Sequence, residues 1–117
     1  MPSAFREATS TNGLFVLRWR PLLDEAPMGA VPINEPFELE FVLERDGAPY
    51  PGAEVRVRGW MPAHNHGMLR RPGVEDRGDG SYLVRGMLFH MRCFWELFFD
   101  VYEPGKRRES VRFELNL

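Results

Sequence analysis

The chain of 117 residues holds a single cysteine, Cys93, which excludes an intrachain disulfide. The fold must therefore rest on its core, and this length suffices for one domain without covalent staples. A lone thiol is compatible with the cytosol and also with an oxidising compartment. No apolar run approaches the roughly 18 residues that span a bilayer as a helix. Excess charge of one sign is missing too: the formal net charge is −2, with acids and bases interleaved. The longest basic cluster, Lys106-Arg107-Arg108, is flanked by Glu103 and Glu109. It reads as a hairpin tip, so no nucleic-acid partner is expected. Met1 to Arg6 leads into polar residues without the apolar stretch of a secretory leader. Two expectations stay open: a cytosolic protein, or one whose leader or membrane tether precedes this sequence.

Helical periodicity is also lacking, as are internal repeats and low-complexity tracts. What is present is alternation with a period of two. Phe37, Leu39, Phe41 and Leu43 alternate with Glu38, Glu40, Val42 and Glu44, and similar runs start near Phe15, Val55, Tyr82 and Val111. Such runs put one face in a core and the other in water. Residues 94–102 (FWELFFDVY) are apolar on nearly both faces, which predicts a central strand. Asp46-Gly47, Pro51-Gly52, Gly78-Asp79-Gly80 and Pro104-Gly105 supply turns between the runs. The segment from Pro21 to Pro36 carries four prolines and reads as an ordered loop or irregular edge. The pattern predicts an all-β fold, an immunoglobulin-like antiparallel β-sandwich of about seven strands over residues 14–117. Residues 1–13 read as a loose leader, and a jelly roll is the competing architecture. Tyr82, entering a strand behind an Asp-Gly turn, resembles a tyrosine corner.

Two of the three histidines and two of the six methionines fall within eight residues, "MPAHNHGM", Met61 to Met68. Pro62 has no amide hydrogen and ends strand pairing there. If the chain stays extended, His64 and His66 project to one side, with Met68 after them. The stretch offers no carboxylate for magnesium or calcium, and zinc has little use for thioethers. Imidazole with thioether suits copper, as Cu(I) or Cu(II), and an oxidising compartment. A second soft-donor cluster, Met87, His90, Met91 and Cys93, precedes the central strand. A sandwich is able to bring both clusters to one pole. The plain alternatives are two solvated histidines, Met87 as core filler, His90 as a surface turn residue, and Cys93 as a half-buried small hydrophobe.

These residues resemble the YtkA-like domain family, related to FixH-like proteins. The likeness is carried by Met61-Pro62, His64 with His66, Gly67-Met68, Gly80-Ser81-Tyr82, Phe89-His90-Met91 and Trp95, over about residues 35 to 117. Cys93 stands where the family usually has a small residue, and His90 is not a family feature. The resemblance implies an immunoglobulin-like sandwich in a bacterial envelope, periplasmic or extracytoplasmic, as a secreted, anchored or tethered module. It implies copper binding and delivery to a copper-accepting protein or oxidase assembly factor, as a carrier or metallochaperone. Carried across by position, His64, His66 and Met91 are the expected ligands, followed by Met61 and Met68.

Enzymatic activity is not expected. HxH pairs also serve metalloenzymes, but those need a further ligand and, for hydrolysis, a general base. No acidic residue follows His66 before Glu75, and no nucleophile–histidine–acid constellation stands out. The remaining alternative is a non-metal immunoglobulin-like module that is structural or binds a partner.

Overall fold

A computed structural model describes residues 5–23 and 30–117. Ten strands are present among them: β1 (Arg6–Thr9), β2 (Phe15–Leu22), β3 (Phe37–Arg45), β4 (Ala48–Pro49), β5 (Glu54–Met61), β6 (His66–Gly67), β7 (Gly73–Asp76), β8 (Ser81–Met87), β9 (Phe94–Tyr102) and β10 (Glu109–Asn116). One sheet runs β1-β2-β3-β8-β7, with β4 added to β3, and the other runs β10-β9-β5-β6. Every pairing is antiparallel. The neighbours β2-β3-β8-β7 and β10-β9-β5 reproduce the two sheets of an immunoglobulin sandwich. Ten strands replace the expected seven because β1, β4 and β6 are short additions to sheet edges.

The period-two runs form the core as expected. Leu17, Trp19, Leu39, Phe41 and Leu43 from one sheet meet Leu97, Phe99 and Val111 from the other at 0 % exposure. Phe41 stacks on Tyr82 and meets Phe99 edge-on, tying the layers together. The outer face of the larger sheet is a ladder of ion pairs, Arg18 with Glu44, Arg20 with Glu40 and Arg77 with Glu40. β9 is central in its sheet, as its composition predicts.

Two expectations change. Within the presumed leader, Arg6–Thr9 pair with Thr9-facing Val16 through Trp19 of β2, so this part is a strand. The remainder of that segment before residue 5 lies outside the described residues, as does 24–29 of the proline-rich stretch. Tyr82 lies on β8, so it is not the tyrosine corner, which belongs to another strand of this fold. Its hydroxyl donates to the Tyr50 carbonyl at 2.7 Å and accepts the Ala53 amide at 3.1 Å. It thereby pins the β4–β5 connection to the core.

Candidate functional site

The end of the sandwich carrying residues 61–68 and 87–95 is built around a reversal of the chain. β5 stops at Met61, and Pro62–His64 forms one 3-10 turn with proline opening it. Asn65 closes the turn in the left-handed region, φ 49°, a conformation that asparagine tolerates well. The chain then returns as β6, with His66 opposite Met61 and Gly67 opposite Trp60. The extended geometry expected for 64–66 is therefore absent, and the two imidazoles lose the alternation that would align them. His64 sits exposed on the turn, without a hydrogen bond or ring contact among the described residues.

His66 finds a different partner. Its ring lies 5.9 Å from the His90 ring, edge to face. The His90 ring in turn stands edge-on to Trp95 at 5.5 Å. The two soft-donor clusters do converge at one pole, through His66 and His90. His90 is thus a packed side chain and not the surface turn residue that sequence alone suggested. The signal was its place five residues before a tryptophan, at the mouth of the central strand.

Hydrogen bonding distinguishes the two rings. His66 Nδ1 lies 2.6 Å from the Gly67 carbonyl oxygen. A carbonyl only accepts, so Nδ1 is the donor, and in the neutral ring this leaves the lone pair on Nε2. His90 Nδ1 is buried with no hydrogen-bond partner. A buried polar atom left unpaired costs about 1–3 kcal/mol. Two imidazoles on one ion, with bonds of about 2.0 Å, hold their ring centres roughly 5–6 Å apart. The observed ring-centre spacing falls within that range, with the two ring planes at 72° to each other.

The methionines divide. Met61 is 1 % exposed and belongs to the core cluster, so its thioether is core packing and not open to an ion. Met87 is equally buried, as the filler reading held. Met68 and Met91 are half-buried at the core's margin. The Met68 side chain lies over Gly59, where an added Cβ would come within 2.8 Å of its Cγ and 3.1 Å of its sulfur. Phe89 closes on the same glycine, so Met68 and the segment leading into His90 share one corner. Glycine at 59 is what leaves room for the thioether. The Met91 carbonyl accepts the Trp95 indole N–H at 3.1 Å, fixing the loop just before β9. Cys93 is half-buried, as expected of a small hydrophobe. Among the described residues, no group of three or more histidine, cysteine or acidic side chains gathers around a common point.

No helix among the described residues is long and apolar enough to cross a membrane. Comparison with protein-family models, curated proteins and solved structures finds no match to this chain.

Proposed function

We propose that this domain binds a single copper ion between His66 and His90 and passes it to a copper-accepting protein. The observation that carries the reading is the 5.9 Å approach of these rings, with His90 Nδ1 buried and lacking a partner. The ligand atoms are His66 Nε2, freed by the Nδ1 bond to the Gly67 carbonyl, and His90 Nδ1. Met68 and Met91 supply neutral thioethers at the margin of the same pole. Two imidazoles satisfy Cu(I) and tolerate Cu(II), while thioethers favour the reduced ion. An ion held by so few donors is open to exchange with an acceptor. His64, exposed on the turn, is left out of the bound state, and Met61 is packing. The YtkA-like resemblance supports the same chemistry and an extracytoplasmic setting, tethered or free.

The test is titration of Cu(I) and Cu(II) against a chromogenic competitor. The expected result is one ion per chain, with affinity reduced at least tenfold in His66→Ala and in His90→Ala and unchanged in His64→Ala. A second reading, a partner-binding module without metal, is favoured by the solvent-facing His64 and the core position of Met61. Wild type that competes no better than the His66→Ala/His90→Ala double variant would select it.

A further inference from the structure

A groove runs along one side of the sandwich, away from the paired face of β5. Its larger part has a volume of about 510 Å³ between β5 and β7. A shallower part of about 220 Å³ continues past Gly59 to Met68. The two share Val57, Arg58, Arg71 and Pro72, so they form one channel. Both banks are strand edges. β7 ends its sheet, and β6 pairs only with Trp60 and Met61 of β5. From Glu54 to Arg58, β5 pairs with β9 on one side and is hydrogen-bonded to no strand on the other, where β7 lies alongside it without pairing.

The free edge presents backbone groups. The Gly59 carbonyl accepts the Met68 amide at 3.2 Å, so odd-numbered residues of β5 turn their N–H and C=O toward the groove. Val55 and Val57 follow, and no backbone partner meets them among the described residues. The groove is also cationic in a protein whose net charge is −2. Arg56, Arg58, Arg71 and Arg108 line it against Glu54 and Asp100. Arg56 pairs with Glu54, and Arg58 pairs with Asp100 while covering the Phe98 ring at 3.9 Å. Arg71 and Arg108 are exposed and have no ion-pair partner among the described residues. Edge arginines commonly repel a neighbouring strand. Here the two arginines on β5 are already neutralised, and the two free ones come from other segments flanking the open edge.

We infer that this groove receives an extended acidic peptide segment of a partner protein, added as a strand to β5 beside Val55 and Val57, with its carboxylates on Arg71 and Arg108. Backbone bonds to the edge supply register, and alternate side chains supply selectivity. The edge from Glu54 to Arg58 accommodates roughly 16 Å of strand at about 3.3 Å per residue. The inference stands without the copper reading.

The experiment uses the full chain and a labelled, end-capped peptide alternating glutamate and valine. The expected result is saturable binding by fluorescence anisotropy, with amide shifts at Val55 and Val57. Affinity falls at least tenfold in Arg71→Glu/Arg108→Glu, whose positions are exposed and leave folding intact, and falls as salt is raised. N-methylation of one alternate set of peptide amides abolishes binding, whereas the other set tolerates it. Absence of saturable binding, or equal affinity in the charge-reversed variant, overturns the proposal. So does equal displacement by inorganic phosphate, which would reduce the groove to a simple anion site. Sedimentation that reveals the chain pairing with itself through this edge overturns the choice of occupant.

Discussion

At the end of the sandwich that holds Tyr82, the buried polar side chains are bonded several times over, whereas at the end that holds His90 a ring nitrogen is buried with nothing beside it. Tyr82 bonds Tyr50 and Ala53, and Tyr50 donates to Glu103, which also pairs with Arg45. Glu109, 4 % exposed, accepts from the Ser10 hydroxyl and from the Asn12 amide and side chain. The only buried side-chain nitrogens or oxygens without a partner among the described residues are Trp19 Nε1, inside the core, and His90 Nδ1. The contrast separates an end whose buried polar groups are satisfied within the fold from an end where one buried ring nitrogen is not. A satisfied network fixes one arrangement, while an unpaired buried donor or acceptor stores a cost that a ligand relieves.

The largest effect is expected from Glu109→Leu. The leucine fills similar space but leaves the Ser10 and Asn12 donors without an acceptor, for a loss of about 2–3 kcal/mol in urea unfolding. Acid probes the same end. Burial works to raise the Glu109 pKa, but the bonds from Ser10 and Asn12 outweigh it and hold the group below the usual range. The same holds for Glu103, where burial is outweighed by Tyr50, Arg45 and Lys106. Depressed carboxylates contribute stability that is present above the unfolded value of about 4.3 and lost as pH falls through their lower folded values. Wild type therefore loses stability on acidification below about pH 4.3. Glu109→Leu follows a flatter curve over that window. A variant curve as steep as wild type would break the assignment of the acid response to this end.

Tyr82→Phe comes next. It keeps the ring stacked on Phe41 and removes only the hydroxyl, so the Tyr50 carbonyl and Ala53 amide lose their shared partner. The expected loss is about 1–2 kcal/mol, read by thermal or urea unfolding. A loss under half of that would mean water replaces the hydroxyl, and the contrast between the ends would narrow.

The two ends were unequally legible in the sequence, for a physical reason. The strands around Phe37–Arg45 and Phe94–Tyr102 announce themselves because a half-buried or fully buried strand must write its exposure into its residue pattern. Arg6–Thr9 does not, since an edge strand beside a single neighbour holds by backbone bonds and needs no apolar face. Convergence of the two soft-donor clusters was foreseeable as a possibility of the sandwich, but its actual pair was not. Pro62 and Asn65 carry the signals of a turn, yet extension was the simpler expectation, and it paired His64 with His66. His90 packs against Trp95 and owes its ring contact to His66, a residue far along the chain. Local periodicity carries no trace of such a contact. Arg71 was visible beside Arg70 and Pro72 in the sequence, but only the unpaired edge of β5 gives it a context.

The smallest and most discriminating effect is expected from His90→Leu. In the copper-free protein the leucine replaces a ring whose buried nitrogen has no partner, while keeping an apolar contact for Trp95. Removing an unsatisfied polar group from an apolar site recovers part of its desolvation cost. Stability should therefore stay level or rise, by up to about 1 kcal/mol, where an equivalent deletion at the Tyr82 end lowers it. On the proposed copper reading, the metal reverses the order. An ion that binds only the folded state adds about 2.7 kcal/mol at a hundredfold excess over its dissociation constant. Wild type should gain that increment with Cu(I), and His90→Leu should not. If the leucine variant loses stability in the absence of metal, His90 already has its partner within the fold, and the two ends are alike.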